Sequence, residues 1–279
     1  MNMKISYKNE EHIFDIKERN GVPYLSFPIL EKTGLVRHGF STRLGGVSQG
    51  VWASMNISTT RGDHPQAVEE NKRRIALAIG VDEGKMAFSS QTHTTNVAVV
   101  AEENLGESFP ETDGMITNVP GICLVTFYAD CVPLYFVDTV RKAIGLSHSG
   151  WRGTVHKMAN VTVRKMQEVF GSNPADLIAA VGPSICQDCY EVDIDVIRQF
   201  QENYIRKDWE SLYYRKENGK FQLNLWRANE LNLLESGIKK ENMAVTNVCT
   251  CCNPEVMFSH RVMGTDRGNL SAFLALKEK

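Results

Sequence analysis

The chain has 279 residues, with 31 basic and 33 acidic side chains and a formal net charge of -2 at pH 7. The charges are spread along the sequence, so no basic region is present that would attract nucleic acid or an anionic membrane. The length suffices for one large hydrophobic core, and no low-complexity linker divides it. We therefore expect a single compact domain over residues 1–279, with internal duplication as an open alternative, and a small-molecule ligand.

The N-terminus lacks the continuous apolar stretch of a signal peptide, and no later run has the length of a bilayer span. The sequence thus predicts a cytoplasmic protein without a membrane partner. Seven cysteines are present. In a reducing compartment an odd number of cysteines indicates thiols or metal ligands rather than a disulfide framework.

The predicted elements alternate irregularly between strands and helices, beginning with a hairpin whose turn starts at Gly21. The first helix begins at Pro65, which suits a first helical position, and ends before Gly80. A further helix follows the turn after His148. Strands are predicted over residues 4–16, 22–30, 87–90, 97–101, 121–137 with a central turn, 143–147, 177–181 and 243–248, and helices over 194–204 and 225–234. This order predicts an α+β fold with mixed sheets and argues against a barrel or a doubly wound sheet.

Two histidines and one cysteine stand at the ends of apolar runs, which is where catalytic or metal-binding side chains are commonly placed. They are His93, Cys131 and His148. One thiolate and two imidazoles form a zinc site that lacks one ligand, which leaves a position for water or substrate. Their separations exceed zinc-finger spacing, so the residues alone also allow a buried thiol and a satisfied core histidine.

Charged groups flank these candidates. Asp130 places a carboxylate next to the thiol, and Arg152 follows a predicted helix start next to His148. A helix N-terminus with an arginine is a ready anion site. Arg43, in a loop rich in Gly, Ser and Thr, adds a second guanidinium, so we predict a pocket for an anion such as orthophosphate.

Five motifs occur in order along the chain: Phe40-Ser41-Thr42-Arg43-Leu44-Gly45-Gly46, Gln91-Thr92-His93, Ala129-Asp130-Cys131-Val132-Pro133, His148-Ser149-Gly150-Trp151-Arg152-Gly153 and Phe258-Ser259-His260-Arg261. Together they resemble the YfiH/YlmD-like family. The resemblance extends from about residue 35 to the C-terminus, so residues 35–279 form the family-matching core and residues 1–34 are N-terminal strands. It implies a layered mixed-sheet fold similar to the catalytic domain of cytotoxic necrotizing factor.

The resemblance implies a zinc-dependent purine nucleoside phosphorylase that acts on adenosine, inosine, guanosine or methylthioadenosine with orthophosphate, and that also deaminates adenosine. Apart from the resemblance, no heptad pattern indicates a coiled coil, and for a mixed-sheet enzyme of this size we expect a monomer or a homodimer. Thr94 and Ser149 depart from the family pattern next to two ligands, which bears on substrate preference. The implied metal ligands are His93, Cys131 and His148; the catalytic candidates are Cys131, Asp130 and Arg43; the substrate or phosphate contacts are Arg43, Arg152, Arg261 and Trp151.

Two other chemistries compete for the same residues. The family has carried a multicopper oxidase (laccase) label, but this chain has seven histidines and no His-x-His pair. The three ligands would still bind copper in vitro, because affinity rises toward Cu²⁺ in the divalent series. The second alternative is a metal-free hydrolase or deamidase with Cys131 as nucleophile and His148 as base. His93 favours the metal, since a dyad does not require it.

The remaining cysteines allow a separate structural zinc site. Cys186 and Cys189 have the spacing of zinc ligands, and so do Cys249 and Cys252. Because Cys251 crowds the second pair, the sequence favours partly buried thiols lining a pocket over a four-cysteine site.

Overall fold

The computed structural model describes residues 3–278, which fold into strands and helices in a mixed order. The strands are β1 Asp15–Arg19, β2 Val22–Ser26, β3 Val36–Ser41, β4 Met86–Phe88, β5 Val97–Val99, β6 Gly114–Thr117, β7 Cys123–Tyr128, β8 Val132–Asp138, β9 Ala143–Ser149, β10 Leu177–Val181, β11 Glu191–Val192, β12 Tyr213–Arg215, β13 Phe221–Leu223, β14 Met243–Val245 and β15 Leu270–Leu276. The helices are α1 Pro28–Glu31, α2 Pro65–Ile79, α3 Trp151–Val155, α4 Met158–Phe170, α5 Ile194–Asn203, α6 Trp209–Leu212, α7 Leu225–Glu235 and α8 His260–Met263.

Two six-stranded sheets form the centre of the molecule. The first has the order β1-β2-β3-β15-β7-β4, and the second has the order β14-β10-β8-β9-β6-β5. Most neighbours are antiparallel, but β4 pairs with β7, β5 with β6 and β14 with β10 in parallel. A small third sheet has the order β11-β13-β12. The predicted α+β fold with mixed sheets is confirmed.

Alternating side chains along the strands build three apolar layers. Along β15, Leu274 belongs to the core between the two sheets, while Phe273 belongs to the core that packs against α2. Along β8, Tyr135 faces the central core and Phe136 packs with α4, α5 and α7. The period of two expected for strands therefore places helices on both outer faces of the paired sheets.

A few large side chains fasten the two sheets to each other. The hydroxyl of Tyr135 donates to the carbonyl of Gly39 at 3.0 Å, and its ring meets Phe27 edge-on at 5.1 Å. The hydroxyl of Tyr128 donates to the carbonyl of Ser147 at 3.1 Å. Each buried aromatic contributes about 1.5–3 kcal/mol through its burial. Both sheets therefore share one core.

The N-terminal hairpin differs from the prediction. It is shorter, and its turn is Asn20-Gly21, with φ angles of 53° and 74°. Asn-Gly favours these positive angles. The Asn20-Gly21 dipeptide, rather than the predicted turn starting at Gly21, therefore sets the register between β1 and β2. Before β1, an isolated bridge joins Tyr7 to Val248. The residues after β2 form helix α1 because Pro28 starts it.

The helix predicted after His148 is divided in two. Lys157 adopts a left-handed φ of 62° between α3 and α4. This left-handed conformation is incompatible with a continuous α-helix, so α3 ends before Lys157. Helix α4 then packs on β9. By contrast, α2 has the predicted bounds and ends at Gly80 with φ of 83°. Among residues 3–278, no helix combines the length and the apolar character that a bilayer span requires.

Candidate metal and substrate site

The three predicted ligands meet where strands cross from one sheet to the other. Cys131 lies in the tight loop between β7 and β8, His148 lies in β9 opposite Pro133, and His93 lies between β4 and β5. The Cys131 sulfur is 3.8 Å from Nε2 of His93, and the three ligand atoms lie within 4.8 Å of one another. The two imidazole rings are edge to face at 5.0 Å. This is the donor set of a metal centre with an open position.

The loop that carries Cys131 depends on Asp130. This residue has a positive φ of 87°. Its carboxylate accepts hydrogen bonds from the Thr250 hydroxyl at 2.6 Å and from the Arg261 backbone N–H at 2.7 Å. Both carboxylate oxygens are engaged, so Asp130 ties the loop that carries Cys131 to the segments of Thr250 and Arg261.

Asp113, which no sequence motif indicated, orients both histidines. It is fully buried, and its Oδ1 accepts from Nδ1 of His148 at 2.8 Å and from the backbone N–H of His93 at 3.1 Å. Its Oδ2 accepts from the backbone N–H groups of Thr92 and Thr94 and from the Thr94 hydroxyl. With Nδ1 of His148 held in this way, Nε2 is left to ligate a metal, as in carboxylate–histidine–zinc arrangements.

The electrostatics favour charged forms in this group. Burial tends to raise the pKa of Cys131, but the charge and hydrogen bonding of His148 and His93 lower it to about 6. Burial tends to lower the pKa of His148, but the Cys131 thiolate and Asp113 raise it to about 9. For Asp113, burial is outweighed by hydrogen bonds from His148 and Thr94, so its pKa falls to about 2. The thiolate that a metal requires is therefore favoured at neutral pH.

Gly150 of the fourth motif is required by space. A Cβ atom at this position would lie 2.8 Å from Cδ2 of His93 and 3.2 Å from the Cys131 sulfur. Gly150 is the residue before α3, and its φ is -67°. Close approach to the ligands, rather than backbone strain, therefore explains the glycine.

A cavity of about 790 Å³ opens at the three ligands. This volume is typical of small-molecule sites. Apolar, hydroxyl and basic side chains share its walls. The lining residues are Ile57, Ser58, Thr59, Thr60, Arg61, Lys72, Phe88, Ser89, Ser90, Gln91, Thr92, His93, Glu107, Ser108, Phe127, Tyr128, Ala129, Cys131, His148, His260, Arg267 and Asn269.

Arg43 lies elsewhere in the described structure. Its Nε donates to the carbonyl of Ala53 at 2.8 Å and its Nη1 to that of Pro254 at 2.9 Å. The guanidinium also lies over the Phe258 ring, 4.8 Å from its centroid. Within residues 3–278, the cavity lining does not include Arg43. Its contacts instead join the glycine-rich loop to the segment before α8.

The other predicted anion contacts are also engaged with protein groups. Arg152 lies over the Trp151 ring at 4.5 Å. Arg261 donates to the carbonyls of Cys189 and Glu191 and lies over the Tyr190 ring. The part of the chain that the structure describes places Arg152, Trp151 and Arg261 outside the cavity lining.

Two arginines that the motifs did not single out face the cavity. Arg267 is 6% exposed, and its Nη1 donates to Gly268 and Asn269. The Nε atoms of Arg267 and Arg61 are buried and find no hydrogen-bond partner within residues 3–278. Burial and the neighbouring Arg61 lower the pKa of Arg267 to about 10. Two neighbouring guanidinium groups of like charge therefore line one part of the cavity.

The family model described as multi-copper polyphenol oxidoreductase laccase matches residues 37–277. The chain belongs to this family. Its resemblance to YfiH/YlmD-like proteins is confirmed by relatives and by solved structures. Purine nucleoside phosphorylase YlmD from Bacillus subtilis is 34% identical, over 86% of this chain and 88% of that protein. Adenosine deaminase RL5, from an unknown prokaryotic organism, is 31% identical, over 82% and 90%.

Two solved structures of the family share the fold of this chain. The structure of YfiH from Bacillus licheniformis superposes with a TM-score of 0.89 at 30% identity, covering 96% of this chain and 100% of that one. That of YlmD from Geobacillus stearothermophilus has a TM-score of 0.88 at 30% identity, covering 95% and 99%. The layered arrangement of the two sheets and their helices is thus a family property.

Proposed function

We propose that this chain is a zinc-dependent purine nucleoside phosphorylase that also deaminates adenosine. The observation that carries the proposal is the grouping of His93, Cys131 and His148 at a cavity that Arg61 and Arg267 also line. Relatives named purine nucleoside phosphorylase and adenosine deaminase support the same activities.

The ligand geometry fits zinc. Tetrahedral zinc with bonds of about 2.0–2.1 Å to nitrogen and about 2.3 Å to sulfur places those atoms about 3.6 Å apart. The observed separation between the Cys131 sulfur and Nε2 of His93 is 3.8 Å. The donors would be His93, Cys131 and Nε2 of His148. When bound, zinc would supply a Lewis acid with one open coordination position.

The apolar wall of the cavity suits a purine. The rings of Phe88 and Phe127 are stacked with an interplanar angle of 10° and centroids 6.0 Å apart, and Ile57 adds an aliphatic surface. Aromatic and aliphatic faces favour a planar heterocycle through buried area and offset stacking. We place the base against this wall.

The basic wall suits orthophosphate. Arg61 and Arg267 both line the cavity, and the charge of Arg267 interacts with that of Cys131. An anion held there would therefore be close to the metal ligands. Hydrogen bonds between guanidinium groups and phosphate are charge-assisted, and they relieve the mutual repulsion of the two arginines.

In phosphorolysis, a phosphate oxygen forms a bond to C1′ of ribose as the bond from C1′ to the purine nitrogen breaks. The bonding electron pair leaves with the base, which takes up a proton, and ribose 1-phosphate remains. Arg61 and Arg267 hold the nucleophile, while Phe88 and Phe127 hold the leaving group. Fixing both partners in line lowers the entropic part of the barrier.

The first test measures zinc on purified protein together with release of free adenine from adenosine, with and without phosphate. We expect zinc at the three ligands and phosphate-dependent release. Absence of zinc and of release, with Cys131 still alkylating readily, would instead support the Cys/His hydrolase.

His93→Ala separates these two chemistries further. Under the proposal it abolishes zinc binding at this site and activity, whereas a Cys131–His148 dyad would retain its reactivity. His156→Ala, at an exposed position near α3, is the matched control and should keep both.

Arg267→Met tests the phosphate position. Loss of a hydrogen bond to a charged group costs about 1.5–3 kcal/mol, so we expect the KM for phosphate to rise about 10- to 100-fold. The KM for adenosine should change little. An equal rise in both constants would contradict the assignment of this wall to phosphate.

We further propose a cytoplasmic enzyme that is a monomer or a homodimer. The seven cysteines are all free in the described structure, which suits a reducing compartment. Cell fractionation and light scattering test these two statements.

A further inference from the structure

Four cysteines outside the substrate cavity gather in one place. Cys186 and Cys189 flank a short turn before β11, and Cys249 and Cys252 flank a second turn after β14. We propose that this four-thiol cluster is a structural Zn²⁺ site that fixes the loop carrying Asp130 and Cys131. It stands independently of the proposed enzymatic function.

The distances match a tetrahedral thiolate site. All four sulfurs lie within 4.8 Å of one another. The sulfur of Cys252 is 4.0 Å from that of Cys186 and 3.5 Å from that of Cys189. With zinc–sulfur bonds of about 2.3 Å, tetrahedral geometry places the sulfurs about 3.8 Å apart. A disulfide would need about 2.05 Å.

Backbone hydrogen bonds hold the two turns in place. The amide N–H of Cys189 donates to the Cys186 carbonyl at 3.2 Å within the first turn. The amide of Cys186 also donates to the Cys249 sulfur at 3.2 Å. Amide donors stabilise thiolates and orient metal ligands. The two Cys-x-x-Cys turns are therefore joined by a backbone contact to one of the four sulfurs.

The nearby charge suits a site with excess negative charge. Four thiolates and one Zn²⁺ carry a net charge of -2. The Lys8 ammonium bonds to Asp188 at 2.8 Å, and its charge interacts with Cys186 and Cys252. A cation at the edge of the cluster offsets part of the thiolate charge.

Both turns also hold the loop with Asp130. The backbone N–H of Ile185 donates to the Asp130 carbonyl at 3.0 Å, and the Thr250 hydroxyl donates to its carboxylate. The backbone N–H of Thr250 donates in turn to the Ser184 carbonyl. A metal that joins these segments would therefore hold Cys131 in place through its neighbour Asp130. The described lining of the substrate cavity does not include these thiols.

Zinc counting by mass spectrometry tests the site on the full chain, purified under reducing conditions and supplied with zinc. We expect two zinc ions per chain in the unmodified protein, one at each ligand group. Cys131→Ser should keep the zinc of the cluster, and Cys189→Ser should keep only that of the three-ligand site. Cys251→Ser, in the same turn but outside the four mutual neighbours, is the matched control and should keep both.

A second measurement needs no change in the cluster. Cobalt added to the Cys131→Ser protein should give intense thiolate-to-cobalt absorption that scales with four sulfurs. Absence of this absorption, or a single zinc in the unmodified protein that Cys131→Ser removes, would overturn the proposal. So would a mass lowered by two hydrogens, because it reports a disulfide inside the cluster. Loss of zinc from the three-ligand site alone would overturn the enzymatic proposal and leave this one standing.

Discussion

The three-ligand site and the four-thiol cluster are both connected to the loop of Asp130 and Cys131, but only the first leaves a coordination position open. The first combines two imidazoles with one thiol and faces a cavity of about 790 Å³. The second has four sulfurs, one of which accepts from the Cys186 backbone N–H, and it lies outside the described cavity lining. Fewer, mixed ligands leave a position for chemistry, whereas four thiols complete the coordination and can only hold structure.

The largest effect that separates the two sites is expected from Cys131→Ser. Loss of one of three ligands should lower kcat/KM for phosphorolysis by more than the ~10- to 100-fold typical of losing an outer partner. Steady-state kinetics on adenosine and phosphate provide the measurement. Retained activity would show that the open site is not the reacting centre.

Asp113→Asn should give the next effect. Asn cannot accept all the hydrogen bonds that reach this carboxylate, so we expect metal affinity at the three-ligand site to fall about 10- to 100-fold. Metal competition titration measures it, and the cluster should be unchanged. Asp138→Asn removes another fully buried carboxylate and is the control for general destabilisation. An equal loss in both variants would mean that Asp113 acts only on the fold.

Gly150→Ala should have a smaller effect on the same site. The new methyl group presses on His93 and Cys131, and we expect a loss of activity below the ~100-fold that a 1 Å misplacement can cause. Gly153→Ala is the control, since its Cβ would meet only ordinary contacts from 3.5 Å. Similar kinetics for both variants would contradict the steric argument.

The smallest expected effect is on the pH dependence of stability. Both metal sites lose metal when their ligands are protonated, and the buried His38 adds a separate loss of folding stability in acid. Burial lowers the pKa of His38 to about 4, and its Nε2 accepts from the Phe27 N–H at 2.8 Å. An unfolded histidine binds a proton near pH 6.5, so stability should fall as the pH drops from 7 to 5, by about 2 kcal/mol.

Chemical denaturation of His38→Gln at the two pH values measures that contribution. The variant should lose about 2 kcal/mol less than the unmodified protein over this interval. His12→Gln, at an exposed position, should behave like the unmodified protein. An unchanged pH dependence in His38→Gln would assign the acid sensitivity to the metal sites.

Local patterns in the sequence were enough to indicate the ligands and much of the fold. His93, Cys131 and His148 follow apolar runs, and α2 has a proline at its start and a glycine at its end. The sequence did not identify Asp113, because its hydrogen bond to His148 joins residues 35 positions apart. It did not identify Arg61 and Arg267 as cavity residues for a similar reason, since only the folded chain brings their side chains together. The sequence disfavoured a four-thiol site because Cys251 crowds the second cysteine pair. The contacts that form the cluster join Cys252 to Cys189 and to Cys186, which are 63 and 66 positions away.

Because Arg61 and Arg267 line the cavity, the anions in the buffer would influence the activity that an assay measures. Under the proposed function, any tetrahedral oxyanion that reaches this wall removes the repulsion between two guanidinium groups and stabilises the folded chain by mass action. A preparation stored in phosphate or sulfate would then begin every assay partly loaded. Sulfate would act as a hidden competitor, and phosphate as an uncounted co-substrate.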